Sequence, residues 1–403
     1  MIFNLQDFIA TYVVKRKQSM FLYDINVHKE QLSHGIEGKK VLVIGGAGSI
    51  GSSFIKALLP YHPSSLTVVD INENALTELS RDLRSEKGLY VPDDYITYPM
   101  SYANPVFEKI FRKHKGYDIV ANFSAHKHVR SEKDQYAVEV LIENNVLLAA
   151  KLLTLLQEFP PEHYFCVSTD KAANPVNIMG ASKKIMEEMI MAYADFFPVT
   201  TARFANVAFS NGSLPAGFLE RIQKMQPISA PSDVTRYFVS PEESGQICLM
   251  ACVLGKSGQI YFPKLDTHNV MTFSEISNAL LQEMGYEVIE CATEKEALER
   301  SQILKEGSKE YPVFYAKSDT TGEKAYEEFY TQNEKVDLDT YHSIGIILNP
   351  KKRTLLELEM LYQAFHTVFA KTDFTKEEIV QIIQNFLGNF NHLETGKYLD
   401  AKM

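Results

Sequence analysis

From residue 40 onward, short apolar and β-branched runs alternate with longer stretches whose apolar positions recur every three or four residues. The runs VLVIG (41–45), LTVVD (66–70), YITY (95–98), DIVANF (118–123), HYFCVST (163–169) and VTTARF (199–204) read as strands. Helical spacing between them predicts helices near 50–60, 73–86, 104–114, 133–157 and 178–196. Strands that are apolar on both faces and alternate with helices predict an α/β fold with a doubly wound parallel sheet. After about residue 210 the alternation loosens into loops punctuated by Pro and Gly, then helical runs at 272–285, 292–307 and 353–370. The expected organisation is an N-terminal extension (1–38), a main α/β domain (39–210) and a smaller C-terminal α/β domain (211–403), with some crossover of segments. In the extension, Phe3, Leu5, Phe8, Ile9, Tyr12 and Val13 predict an amphipathic helix that packs on the body or on a second subunit rather than on a membrane.

Composition narrows the partners. Apolar residues are 45% of the 403, enough for two real cores. A formal charge of -10 argues against nucleic acid or an anionic membrane, while leaving room for a local basic pocket for phosphate. A small molecule is the expected partner. Cys166, Cys248, Cys252 and Cys291 are too few and too scattered for a disulfide framework. Cys248 and Cys252 lack a second ligand pair, so no metal is expected and a reducing cytoplasm fits. The opening MIFNLQDFIATYVVKRKQ has an early acid and no cleavage-site pattern. No apolar run reaches the roughly 18 residues of a membrane span. The stretch ATEKEALERSQILKEGSKE reads as a solvated helix face.

The strongest chemical signal is VLVIGGAGSIGSSF, which sets Gly45, Gly46, Gly48 and Gly51 between a strand and a helix. Such glycines allow a tight turn, admit a pyrophosphate to backbone N–H groups, and let the helix lie close to the sheet with its N-terminus toward the anion. Ser49 and Ile50 belong to the same turn, and Asp70 ends the next strand 19 residues beyond Gly51, where a carboxylate can hold ribose hydroxyls. Residues 39–210 are therefore expected to be a Rossmann domain. A carboxylate repels a 2′-phosphate, so Asp70 favours NAD, with NADP as the alternative. Ser124, Ala125 and Lys183 complete the expected cofactor set.

The segment STDKAANPVNIMGASKK (168–184) poses the catalytic question. A nicotinamide site would carry a tyrosine four residues before Lys183, but Met179 stands there, and a thioether has no proton to exchange. Residues four apart share a helix face, so Lys183 is still expected at the nicotinamide ribose. The chain's one Y-x-x-x-K, Tyr398 with Lys402, lies in its last six residues and reads as chance. Thr169, Asp170 and Lys171 end the fifth strand at the sheet's carboxyl edge, where ligands bind in this architecture. In a regular strand Asp170 and Lys171 would face opposite ways. Irregular backbone lets them converge. An acid beside an amine suits β-elimination; an exposed ion pair at a strand end is the competing reading.

STDKAANPVNIMGASK resembles the signature of the nucleotide-sugar 4,6-dehydratases of the extended short-chain dehydrogenase/reductase superfamily. The resemblance is to the CapD-like group acting on UDP-N-acetylglucosamine, one branch of which carries methionine in place of tyrosine. The similarity runs through GGAGSIGSSF, SAHKHVRSEKD, ENNV, ARFANVAFSNGSLP, VTRYF and TTGEKAYEEFY, most of residues 35–335. It implies a lyase that dehydrates a UDP-N-acetylhexosamine to the 4-keto-6-deoxy sugar for polysaccharide or glycan biosynthesis. It also implies a tightly bound, recycled NAD, a UDP-sugar partner and self-association. The implied catalytic set is Thr169, Asp170, Lys171, Met179 and Lys183. In it a desolvated Lys171 is the base at C5, and protonated Asp170 donates to the C6 hydroxyl. Asp170, or a water held by Thr169, serves the C4 hydroxyl, with Lys183 supplying positive charge.

On the substrate side the resemblance implies Lys127, His128, Asn206 and Arg236, the last for a diphosphate or ribose; for Lys127 a solvated cationic loop stays open. Glu323 and Lys324 resemble a uridine-side segment, which an ordinary helix start explains almost as well. Arg130 stands for the usual proline and Asn211 where arginine is common, so the sugar and the C5 configuration stay open. YPMSYAN lacks the acid that often reads adenine. The membrane-spanning portion of longer family members is missing, so a soluble cytoplasmic form is expected. C4 epimerisation, dehydration with inversion at C5, and a catalytically silent NAD-binding regulator are the alternatives.

Overall fold

Strand β1 (Lys40–Ile44) shows why the sheet is so deeply buried. Val41 and Val43 point into one apolar cluster, Leu42 and Ile44 into another, and none is more than 1% exposed. A strand with no polar alternation thus has an apolar layer on each face. The computed structural model describes residues 3–128, 132–266, 269–318, 324 and 326–396. Strands β2 (Ser65–Asp70) and β4 (Ile119–Asn122) flank β1 in parallel. Outside them lie β3 (Asp94–Pro99) on one side and β5 (His163–Val167) and β6 (Val199–Ala202) on the other. The order β3-β2-β1-β4-β5-β6 is that of a Rossmann sheet, with its switch point between β1 and β4. All six strands and the five helices expected before residue 200 are present, within a few residues at their ends. The expected helix 133–157 is interrupted by a π-helical turn at Glu143–Leu147.

Beyond residue 205 the chain is more regular than its sequence suggests. Strands β7 (Asn206–Val207), β8 (Ile228–Pro231) and β9 (Thr235–Val239) precede β10 (Gln259–Pro263), which returns to the main sheet in parallel beside β6. Strands β11 (Val270–Thr272), β12 (Glu287–Cys291) and β13 (Glu310–Ala316) follow. They complete two small sheets, ordered β11-β9-β7 and β12-β13-β8. Strands β14 (Val336–Asp337) and β15 (Ile344–Ile347) close the main sheet with antiparallel pairings. The sequence predicts an α/β domain here but does not locate these strands, because they are short and carry Pro, Gly and charges inside or beside them.

Two long helices were also missed. Pro241–Val253 opens on the polar residues Glu242, Glu243, Ser244 and Gln246 and is apolar on every side from Ile247 to Val253, all buried, so it has no amphipathic stripe to read. It lies against the helix Ser49–Leu58 so closely that a Cβ on Gly245 would sit 2.2 Å from the Ser53 carbonyl oxygen. Lys376–Leu387 opens with a Thr375/Glu378 capping box. With Leu355–Phe369 it covers the helices Gln135–Ile142 and Ile178–Ala192.

The N-terminal segment packs on the body. It forms Leu5–Phe8 and a π-helical turn Ile9–Val13 rather than one α-helix, and Phe8, Ile9 and Val13 are buried with Ile276 and Leu280. Arg16 grips Glu243 with two hydrogen bonds of 2.6 Å, and the buried Asp24 carboxylate accepts the His342 and Ser343 N–H groups at 2.7 Å. Among the described residues no helix is long and apolar enough to cross a membrane.

Candidate active site

The site is built where β1, β2, β4 and β5 end. Gly45 has φ +72°, and a Cβ there would lie 2.7 Å from the Ser124 nitrogen, so the turns after β1 and β4 are in backbone contact. At Gly51 a Cβ would meet the Gly45 carbonyl oxygen at 2.4 Å, which is the close helix–strand approach the motif requires. Gly48 differs. Its φ is -72°, and its Cβ would meet only the Gly45 oxygen, at an ordinary 3.4 Å. Nothing within the chain demands a glycine there, whereas a pyrophosphate seated on the N-terminus of Ser49–Leu58 does. Asp70 ends β2 and accepts the Ala47 N–H at 3.1 Å and the Asn72 N–H at 2.9 Å, which ties its carboxylate to the glycine turn. These residues fit a dinucleotide.

Ser49 and Ile50 begin the helix, both half-buried. The Ser49 hydroxyl accepts the Asn211 N–H at 2.8 Å, and the Asn211 carbonyl accepts from the Lys127 ammonium at 3.0 Å. The 210–212 turn thereby links the glycine turn to the segment after β4. Burial lowers the Lys127 pKa even though the residue as a whole is exposed. Ser124 donates its N–H to the Asn122 side chain at 3.0 Å, and Ala125 beside it is half-buried. The His128 ring lies over Gly212, whose added Cβ would be 3.2 Å from Nε2.

At the end of β5 the chain turns through a single 3₁₀ turn, Asp170–Ala172. That turn decides the geometry. Instead of facing opposite ways, Lys171 donates to Asp170 Oδ1 at 3.0 Å, and the Thr169 hydroxyl donates to the same oxygen at 2.9 Å. The Asp170 side chain is 3% exposed and that of Lys171 is 17%, so this is not a solvated surface pair.

Two helix residues, Lys183 and Met179, are buried. Lys183 donates to the Val167 carbonyl at 3.0 Å, and burial pushes its pKa down. Its ammonium is therefore engaged at the end of β5, with two donors to spare. Met179 is 3% exposed and belongs to the apolar cluster that includes Leu141, Ile142, Ile178, Ile185 and Phe365.

The substrate-side residues are spread over the second half. Asn206 begins β7, paired with Phe238 of β9. Arg236 is buried and donates Nη1 to the carbonyls of Thr235 and Lys324, both at 2.9 Å. The Lys324 ammonium donates to the Asn174 carbonyl. Arg130, Glu323, Tyr398 and Lys402 lie outside the described residues.

Three features went unread in the sequence. Glu327, four residues after Glu323 in TTGEKAYEEFY, lies 3.9 Å from the Lys171 ammonium. Asn145, in the π-helical turn, holds the His126 backbone with two hydrogen bonds of 2.8 and 2.9 Å and also bonds Ser182. π-turns of this kind recur at functional sites. Glu132 is fully buried, caps the Met179 N–H at 2.8 Å and faces His392 at 3.4 Å.

A family model described as "Polysaccharide biosynthesis protein" matches residues 41–347. The Methanocaldococcus jannaschii protein called "Uncharacterized membrane protein MJ1061" is 29% identical over 79% of this chain and 88% of its own length. The probable polysaccharide biosynthesis protein EpsC of Bacillus subtilis is 27% identical over 80% of this chain, which spans about half (50%) of it. A Campylobacter jejuni UDP-N-acetylglucosamine 4,6-dehydratase (inverting) is 27% identical over 62% of this chain and 74% of that protein. Among solved structures, the dTDP-glucose 4,6-dehydratase DesIV of Streptomyces venezuelae, a double mutant with NAD and DAU bound, shares the fold. Its TM-score is 0.53 at 19% identity, over 72% of this chain and 87% of that one. The chain therefore belongs to the polysaccharide biosynthesis protein family and shares its fold with DesIV.

Proposed function

We propose that this protein is an NAD-dependent 4,6-dehydratase of a UDP-N-acetylhexosamine, with UDP-N-acetylglucosamine as its substrate and a 4-keto-6-deoxy sugar for polysaccharide assembly as its product. The observation that carries the reading is the shared carboxylate oxygen of Asp170, on which the Thr169 hydroxyl and the Lys171 ammonium converge at the carboxyl edge of β5. Gly45, Gly48, Gly51, Ser49 and Asp70 would hold the dinucleotide, and the Asp70 carboxylate disfavours a 2′-phosphate. Bound there, NAD would supply reversible hydride transfer, oxidation at sugar C4 and reduction at C6, with no net change in the cofactor. Lys171 removes the C5 proton, which a C4 ketone acidifies, while Asp170 gives a proton to the C6 hydroxyl so that it leaves as water. Lys171 then returns a proton to C5. With a thioether at Met179, the proton of the C4 hydroxyl falls to Asp170 through the Thr169 hydroxyl. Lys183 holds the end of β5. Lys127, His128, Asn206 and Arg236 are the residues proposed to face the UDP-sugar.

The test is incubation of purified protein and NAD with UDP- and dTDP-sugars, read by product mass and by NMR at C5. Loss of one water with a 4-keto-6-deoxy product supports dehydration. A product of unchanged mass inverted at C4 replaces it with epimerisation. No turnover across the panel leaves a silent NAD-binding protein.

The cofactor assignment carries its own prediction. Gly48→Ala is expected to weaken NAD binding about ten-fold or more, roughly 1.4 kcal/mol, because the methyl group takes the space of the pyrophosphate. Its melting temperature should stay at the wild-type value, since the Cβ meets an ordinary 3.4 Å contact. Titration calorimetry with NAD, beside a thermal melt, reads both. Unchanged affinity would remove the glycine turn from the cofactor site.

A further inference from the structure

Glu327 is a buried carboxylate beside the candidate site to which the elimination scheme gives no role. Its side chain is 4% exposed, and its Oε1 lies 3.9 Å from the Lys171 ammonium, which is itself 3.0 Å from Asp170 Oδ1. The ammonium is thus flanked by two carboxylates from different parts of the chain. The charged groups facing Glu327 are Lys171 and Asp170 from the turn after β5, Arg236 from β9, and Lys324 from its own segment.

That segment is held at both ends. Arg236 bonds the Lys324 carbonyl at 2.9 Å. The fully buried Arg203 bonds the Phe329 carbonyl, also at 2.9 Å. A solvent-exposed pair at this separation would be worth little. A carboxylate withdrawn from water on an anchored segment is costly to keep, and its one-sided effect on a neighbouring amine is correspondingly large. Burial raises the Glu327 carboxyl above its ordinary range, and Lys171 pulls it back.

We propose that Glu327 is the positioning residue of Lys171: together with Asp170 it holds the ammonium between two carboxylates at the carboxyl edge of β5. This deepens the dehydratase reading and rests on it for the meaning of Lys171 as base. An anion close to an amine favours the charged form, so removing it must lower the Lys171 midpoint.

The experiment uses lysine-selective isotope labelling and NMR titration of the full-length protein, the Lys171 signal being the one lost in Lys171→Arg. In Glu327→Gln the Lys171 midpoint is expected to fall by about one pH unit. In a dehydratase assay the maximal kcat should fall about ten-fold, with the rising limb of its pH profile moved to lower pH and KM nearly unchanged. Glu327→Asp, which keeps the charge on a shorter stem, should restore part of the midpoint. A Lys171 midpoint identical in wild type and Glu327→Gln overturns the proposal. If Glu327→Gln does not fold, a wild-type midpoint in Glu327→Asp overturns it, and an intermediate one supports it. If the wild type converts no nucleotide sugar, the dehydratase reading falls, while the Lys171 titration still decides the place of Glu327.

Discussion

Lys171→Ala is expected to abolish most dehydration, lowering kcat by about 10²–10⁴-fold, the usual contribution of a positioned acid–base group. The proposed reaction needs a base at C5 only after C4 has become a ketone. The variant should therefore still bind the dinucleotide through the glycine turn and Asp70, and in heavy water it should no longer exchange the C5 proton. Product mass and C5 deuterium content, measured in one assay, separate loss of the base from loss of cofactor. The fold should tolerate the change. Lys171 is partly exposed and leaves no deep cavity, and Asp170 keeps the Thr169 hydroxyl at 2.9 Å. Truncation does leave Asp170 and Glu327 without the cation between them, so Lys171→Met, which retains the stem, is the control for packing. Full activity in both variants would take the acid–base role from this pair and leave it a structural contact.

The sequence made some of this legible and hid the rest for identifiable reasons. The glycine turn, Asp70 and the six strands before residue 205 were readable because each is a local pattern: glycines forced by close approach, and apolar runs forced by burial on both faces. The Thr169–Asp170–Lys171 convergence was readable only as far as the strand's end was, since period-two geometry sends neighbours apart and a 3₁₀ turn brings them together. Met179 could be recognised as a missing phenol, but not as a core residue, because other members of its apolar cluster, such as Leu141 and Phe365, are distant in the chain. Lys183 was expected at a ribose on helix-face geometry alone; its engagement with the Val167 carbonyl depends on how deeply the helix sits against β5. Glu327 and Lys171 are brought together by tertiary structure alone, and no spacing rule reaches that far. The helix Pro241–Val253 escaped for the opposite reason: burial on all sides erases the periodicity that would announce it.

Arg203 governs the second large effect, on stability. Its guanidinium is fully buried and donates to both carboxylate oxygens of Glu187 at 2.8 Å, to both of Glu334 at 2.8 and 3.0 Å, and to the Phe329 carbonyl at 2.9 Å. Glu187 also accepts the Ser168 hydroxyl at 2.6 Å, so the network runs from the residue before Thr169 to the segment carrying Glu327. Arg203→Leu leaves the buried Glu187 and the half-buried Glu334 with Lys184, 3.6 Å from each, as their remaining counter-charge and is expected to cost about 3 kcal/mol at neutral pH. Arg203→Lys keeps the charge but not the planar fork and should recover only part of that. The pH dependence distinguishes charge from packing. Burial works to raise the Glu187 and Glu334 carboxyls, yet Arg203 outweighs it and holds both below the ordinary range. Their contribution to wild-type stability is therefore complete above the unfolded glutamate value of about 4.3 and is lost as pH falls through the lower folded values. In Arg203→Leu burial is opposed only by Lys184, 3.6 Å from each carboxylate, and by hydrogen bonds from Ser168 and Thr331, so protonation relieves much of the strain and the deficit relative to wild type should shrink between pH 7 and about pH 4.5. Urea unfolding at the two pH values measures it. A deficit equal at both, or under about 1 kcal/mol at pH 7, would mean that the carboxylates find other partners and that the site's framework does not depend on this arginine.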